Sequence, residues 1–134
     1  AAAAIGEAKA TVRVMTYQLS SGRVINALIA AAARGVDVEV IVEGETCATA
    51  RLQPVFLRFD AAKVATFCDG VERIHHHKVV VIDEATLVTG SFNFSAAAER
   101  NAENLIVIRG APRLVSRYLD DYARHRAHAT RRGG

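Results

Sequence analysis

Residues 74 to 95, IHHHKVVVIDEATLVTGSFNFS, carry three of the chain's five histidines, a lysine and a Gly-Ser-Phe-Asn cluster. Imidazole is the side chain that can attack phosphorus or shuttle a proton near neutral pH. Lys78 offers a fixed positive charge, while Ser91 and Asn93 offer uncharged donors. Such a set suits the oxygens of a phosphate diester, whose charge redistributes in the transition state. The competing reading is a polar strand end whose histidines are satisfied by solvent. Metal binding is the weaker alternative. His75 and His77 could chelate as neighbours two apart, but local spacing supplies no third ligand. His125 and His128 read more simply as part of a solvated basic surface, and Lys78 opposes a cation on the face of His76.

These residues need a strand and a hairpin to bring them together. In a strand alternate side chains share a face, so His76 goes with Lys78 while His75 and His77 point the other way. HHKVVVID and TLVTGS read as two strands around a turn at Glu84 and Ala85. A two- or four-residue loop sets Lys78 opposite Ser91 and His76 opposite Asn93, with paired Cβ atoms about 5 Å apart. The result is a square of His, Lys, Ser and Asn. A three-residue loop breaks that register.

The rest of the chain reads as an α/β fold with a mixed, mostly parallel sheet flanked by helices, in a single domain over residues 1–134. TVRVMTY is a strand, LSSGRVINALIAAAARG a helix capped by Ser20 or Ser21 and ended by Gly35, and VDVEVIVEG a second strand. This order makes a right-handed βαβ unit. A helix delayed by Pro54 leads into the short strand KVATFC. After the hairpin come a short helix SAAAERN capped by Ser95, a strand NLIVIRG and a closing helix that starts at Pro112.

A hydrophobic content of 51% against 23% charged residues suits a globular chain, and no apolar run approaches the roughly 20 residues of a membrane helix. The net charge of +3 is uneven: six arginines against Asp120 and Asp121 give residues 112–134 a charge of +4. On a helical wheel Arg113, Arg117, Arg124, His128 and Arg131 form one stripe, with Leu114, Val115, Tyr118 and Tyr122 opposite. The stripe reads either as a solvated face or as a surface for a polyanion. Cys47 and Cys68 match no metal or redox spacing. Parallel strands would put both at one end of the sheet, where a disulfide or two unpaired thiols fit. The opening AAAAIGEAKA lacks the pattern of a secretion signal, so a periplasmic or secreted location is open only if a leader was removed.

The quoted stretch also resembles the signature of the phospholipase D superfamily: His76-x-Lys78, four residues, Asp83, six residues, then Gly90-Ser91-x-Asn93. The likeness runs from VRVMTY through RGVDVEVIVE to the closing helix. It is nearest to the small single-motif bacterial endonucleases of the superfamily, above all in GSFNFS and NAENLIVI. The resemblance implies that His76 is a nucleophile forming a phosphohistidine, with Lys78 and Asn93 on the phosphate oxygens and Ser91 in support. It implies that Glu103 hydrogen-bonds the far ring nitrogen of His76. Asp83 falls at the wrong end of its strand for chemistry and reads as a turn or structural residue, and His75 and His77 receive no role. The segment before the motif and the first helix look short against the family pattern, which bears on substrate-groove contacts.

One motif supplies a nucleophile but no acid for the leaving oxygen. The resemblance therefore implies an isologous homodimer in which two copies of His76 share one composite site. No metal or other cofactor enters this chemistry. The implied function is a metal-independent phosphodiesterase, a non-specific endonuclease on DNA or RNA, with the arginine-bearing last helix favouring a nucleic acid partner. The alternatives are a phospholipid phosphodiesterase of cardiolipin type and a non-catalytic nucleic-acid-binding dimer. A lipid enzyme should present an apolar rim, for which LQPVFLRF is the one candidate stretch, and no stable membrane insertion is expected.

Overall fold

Seven strands form one mixed sheet in the order β6-β5-β4-β1-β2-β3-β7 in the computed structural model, which describes residues 1–133. The strands are β1 (Thr11–Thr16), β2 (Asp37–Glu43), β3 (Ala65–Asp69), β4 (Lys78–Ile82), β5 (Thr86–Gly90), β6 (Leu105–Arg109) and β7 (Thr130–Arg131). The helices are α1 (Ala2–Gly6), α2 (Gly22–Ala33), α3 (Gly44–Cys47), α4 (Gln53–Ala62) and α5 (Pro112–His128). The sheet is mixed as expected, but its parallel part is smaller. β2 pairs in parallel with β1 and β3, and every other strand pairing is antiparallel. The parallel pairs are those joined by α2 and by the α3–α4 segment. α5, though longer than α2, carries the chain to the far edge of the sheet, where β7 pairs antiparallel with β3.

Alternation in the central strands divides the core in two. Val12, Val14, Val38, Val40, Val42, Val80, Ile82 and Val88 pack beneath α1, α2 and α4. Met15, Ile41, Phe67, Val79, Val81 and Leu87 form the other face with Val115 and Tyr122 of α5. Each such aliphatic side chain contributes about 1.5–3 kcal/mol on full burial. Ser21 caps α2 by accepting the Val24 amide, and Gly35 follows that helix at φ 90°. α4 starts beside Pro54, after one turn of α3 and a 3-10 turn.

α5 turns differently from its sequence wheel. Val115, Tyr122 and His125 are buried, whereas Leu114 is 38% exposed. Arg131 leaves the helix for β7, a short strand that sequence patterning missed, and His128 turns toward Asp69. SAAAERN shrinks to a 3-10 turn, Ala98–Arg100, whose N-cap is Ala97 rather than Ser95, although Ser95 Oγ still accepts from the Ala98 amide at 3.1 Å. Cys47 and Cys68 are joined in a disulfide, Cα to Cα 6.0 Å, tying α3 to β3.

The hairpin between β4 and β5 corrects the expected register. Ile82 pairs with Thr86 and Val79 with Thr89, so the loop has three residues, Asp83, Glu84 and Ala85. Asp83 and Glu84 take left-handed φ values of 54° and 55°, the conformation of primed hairpin turns. Ala85 is the additional residue, and its amide donates to the Ile82 carbonyl. The Asp83 carboxylate accepts from the amides of Lys9, Ala10 and Thr11 at 2.7–3.2 Å, pinning the start of β1 to the turn. Asp83 is therefore structural, as its place in the strand suggested. Burial raises its pKa, but the three amides outweigh that and hold it below the usual carboxylate range. A depressed native pKa gives stability that is present above the unfolded value and lost as pH falls through the native one. Asp83→Ala should lower unfolding stability by about 1–3 kcal/mol near neutral pH. In denaturant titrations the gap to wild type should narrow below about pH 4; a gap that widens there would contradict this account.

Candidate functional site

β1 and β4 build the site's floor. Thr16 pairs with Lys78, and the Tyr17 amide extends that pairing by donating to the His77 carbonyl at 3.0 Å. The segment Gly70–His77, between β3 and β4, therefore arrives at the sheet end held on one side by Tyr17. His76 lies exposed on it, its ring centroid 4.9 Å from that of Tyr17. Lys78 is only 8% exposed. Its ammonium donates to the His76 carbonyl at 2.7 Å, leaving two of its three donors uncommitted. Burial lowers the Lys78 pKa, with Glu103 opposing the shift.

The GSFNFS stretch forms the facing wall. A Cβ on Gly90 would fall 2.1 Å from the Asn104 carbonyl oxygen, so only glycine lets that oxygen approach. The carbonyl then accepts from the amides of Ser91 and Phe92 at 3.0 and 3.3 Å, turning the chain out of β5. Phe94 is fully buried, and its carbonyl accepts from the amides of Ser20 and Ser21. Asn93 sits between these two anchors with its side-chain oxygen buried and unpaired.

His76, Lys78, Ser91 and Asn93 line one open depression of about 400 Å³, with His77, Thr89, Gly90 and Tyr118. The four expected residues converge, but not as a cross-strand square. The register carries Lys78 level with Gly90, and the turn after Gly90 brings Ser91 and Asn93 to the site instead. A second pocket of about 420 Å³ runs from Gln18 to Ala97 but has Arg51 as its one charged lining residue. It offers no nucleophile paired with a base.

Glu103 is placed differently from expectation. Its carboxylate accepts from Ser91 Oγ at 2.6 Å and Asn101 Nδ2 at 3.1 Å, and Ser91 Oγ accepts in turn from the Asn104 amide. The Ser91 hydroxyl, then Asn101, hold its pKa below the usual range. Both oxygens are thus occupied within the 91–104 wall, and among the described hydrogen bonds none joins Glu103 to His76.

Sequence reasoning missed a second cluster. Asp69 at the end of β3 is fully buried, and its Oδ2 lies 2.9 Å from His75 Nδ1, 2.9 Å from His125 Nδ1 and 3.0 Å from His128 Nε2. Glu72 joins at 3.3 and 3.4 Å from the same nitrogens of His125 and His128. His77 Nε2 bonds Asp121 at 2.8 Å. Burial raises the Asp69 pKa, but His75 and its other partners outweigh it, leaving the carboxyl well below the ordinary range. His125 is thus 2% exposed rather than part of a solvated surface. The one available signal was HxxH on a helix, whose acidic partners lie more than 50 residues away.

Residues 2–126 match the family model described as cardiolipin synthase, PLD-like domain. A phospholipase D of Rickettsia bellii is 37% identical over 127 residues, covering 92% of this chain and 60% of that protein. A mitochondrial cardiolipin hydrolase of Xenopus tropicalis is 30% identical over 101 residues, covering 75% of the chain and 47% of that protein. The chain thus spans about 60% of the length of the phospholipase D relative it matches. Nuc of Salmonella typhimurium, a phospholipase D family member, superposes with a TM-score of 0.93 at 30% identity, over 97% of this chain and 86% of that one. NucT from Helicobacter pylori superposes with a TM-score of 0.87 at 17% identity, over 97% and 87%, a likeness of fold. With this domain model over nearly its whole length, the chain belongs to the phospholipase D superfamily.

Proposed function

We propose that this chain is a phosphodiesterase that cleaves nucleic acid through a phosphohistidine formed on His76. The observation that carries the reading is the exposed imidazole of His76 sharing one depression with the Lys78 ammonium, Ser91 and Asn93. An imidazole nitrogen attacks phosphorus while the bond to the leaving oxygen breaks. Lys78 and Asn93 bind the non-bridging oxygens, whose charge grows in the transition state. Ser91 assists them, and Glu103 acts on the reaction by holding Ser91. No metal is required at phosphorus.

The leaving oxygen needs a proton from the opposite side of phosphorus, which a second copy of the chain would supply. β6 supports such a copy. It is the edge strand, and Leu105, Ile106 and Val107 are 38%, 54% and 40% exposed beside the 91–104 wall. A bare apolar edge is an aggregation liability unless something covers it. In the dimer the partner's His76 protonates the leaving oxygen. The same imidazole, now neutral, takes a proton from water, which attacks phosphorus and breaks its bond to nitrogen.

Nucleic acid is favoured as substrate by the exposed Arg113 and Arg117 on α5, whose charge binds phosphate backbones without reading sequence. A lipid phosphodiester is the second reading. Val71 and Ile74, 64% and 46% exposed, put an apolar rim on the segment that carries His76, and Leu57 of LQPVFLRF is exposed as well. Membrane-facing enzymes present such a rim. No described helix is long and apolar enough to cross a membrane. The disulfide fits an oxidising compartment.

His76→Ala should lower plasmid-DNA cleavage by at least about 10³-fold, and acid quenching of the wild-type reaction on labelled DNA in EDTA should trap a phosphoprotein. Cleavage by the variant at wild-type rate would end the nucleophile assignment. Cardiolipin vesicles assayed beside DNA separate the substrates: turnover of vesicles alone, lost in the Val71→Ser, Ile74→Ser double variant, would replace the nucleic acid reading with the lipid one. Ile106→Glu should yield monomers by analytical ultracentrifugation and lose cleavage, whereas His76→Ala should remain dimeric. A fully active Ile106→Glu monomer would refute the composite site.

A further inference from the structure

The cluster around Asp69 takes no part in the reaction just described, and its geometry is unusual for a hydrogen-bonded network. Three imidazole nitrogens converge on one carboxylate oxygen, Asp69 Oδ2, at 2.9–3.0 Å. Glu72 brings a second carboxylate to two of those nitrogens, and its Oε2 is buried without a hydrogen-bond partner. Asp69, Glu72, His125 and His128 each place one donor atom within 4.8 Å of all the others. Asp69 Oδ2 lies 2.9 and 3.0 Å from His125 Nδ1 and His128 Nε2, and the two Glu72 oxygens lie 3.3 and 3.4 Å from the same two nitrogens, one oxygen to each. These separations are comparable with the donor–donor edge of about 3.3 Å in a tetrahedron with bonds of about 2.0–2.1 Å.

We infer that Asp69, Glu72, His125 and His128 form a binding site for one divalent transition ion, zinc above all. Two carboxylates and two imidazoles that each bind through an unprotonated nitrogen would bring a charge of −2 to the ion, which it cancels. The nearest arginine, Arg124, is committed to Asp121 at 2.6 Å. Outer partners that orient metal ligands are also present. His75 has its Nδ1 on Asp69, and His125 Nε2, whose N–H points outward when Nδ1 is ligated, lies 3.5 Å from the acceptor Asp121 Oδ1. Such second-row contacts fix ring orientation and ligand basicity. A nitrogen–oxygen donor set without thiolate suits zinc and its neighbours rather than calcium or magnesium, which prefer oxygen alone.

The ion would sit behind the reactive segment rather than at phosphorus. Two ligands, Asp69 and Glu72, flank the start of the Gly70–His77 segment, and two come from the last turn of α5. His76 lies between His75, bonded to Asp69, and His77, bonded to Asp121. The ion thus clamps the segment that presents His76 to the end of α5. This inference does not depend on which phosphodiester is cleaved, and its test reads metal rather than turnover.

Chelator-treated chain re-equilibrated with zinc should retain about one ion per chain by atomic emission, and its thermal midpoint should rise with zinc. Cobalt in place of zinc should give the intense visible bands of a tetrahedral site. Glu72→Gln and His128→Ala change partly exposed side chains and should each weaken zinc affinity by at least about tenfold, while His76→Ala should bind zinc as wild type does. Retention of no zinc, a weak octahedral cobalt spectrum, or unchanged affinity in both ligand variants would overturn the site. Loss of zinc in His76→Ala would likewise overturn it by placing the ion at the exposed histidine. The cobalt spectrum of the wild-type chain decides the matter even where a variant fails to fold.

Discussion

One carboxylate, Asp69, joins the three parts of the molecule that meet around His76. It ends β3, takes His75 from the histidine run and takes His125 and His128 from α5. A fully buried carboxylate is costly to desolvate and persists only when well partnered. Here the partners come from the histidine run and from the last turn of α5, so meeting that cost also closes the segment between β3 and β4. The adjacent Cys68 is held by the disulfide to Cys47. Gly44 and Gly70 pack so closely that a Cβ on Gly44 would lie 2.7 Å from the Gly70 Cα. The end of β3 is therefore tied down on both flanks.

On this base the depression around His76 is assembled from two kinds of constraint. Lys78 is fixed by strand pairing to Thr16 and by its bond to the His76 carbonyl. Ser91 and Asn93 are fixed by backbone bonds to Asn104 and by the burial of Phe94. The first constraint belongs to the sheet and the second to a turn leaving it. The polar groups of the depression thus hang from backbone that is hydrogen-bonded on both walls, the kind of support preorganised sites require. The alternation HHHK divides the labour. His75 and His77 face the Asp69 and Asp121 network, and His76 between them is left to the solvent side.

Much of this was legible in residue order alone. Hydrophobic alternation marked six of the seven strands, Ser21 and Pro112 marked helix starts, and the spacing of His76, Lys78, Asp83, Gly90, Ser91 and Asn93 carried the family. Asp83 was legible as structural because it stands five residues past Lys78, at the far end of a strand. What residue order could not supply was register. A three-residue turn with two left-handed residues moves every cross-strand pair by one, and Glu84 does not advertise that conformation as Gly or Asn would. β7, two residues long, was too short to show alternation.

Residue types in order determined the chemistry available to this protein, because an imidazole, a cation and neutral donors lie in and beside one hairpin. Tertiary structure alone decided which partners those groups have. Glu103 turned to Ser91 and Asn101, and His125 and His128 turned inward to Asp69 and Glu72. The physical reason is that such partners are set by how a turn leaves the sheet, as for Glu103, or by how a helix docks on it, as for His125 and His128, whose carboxylates lie more than 50 positions away. No local periodicity encodes that docking.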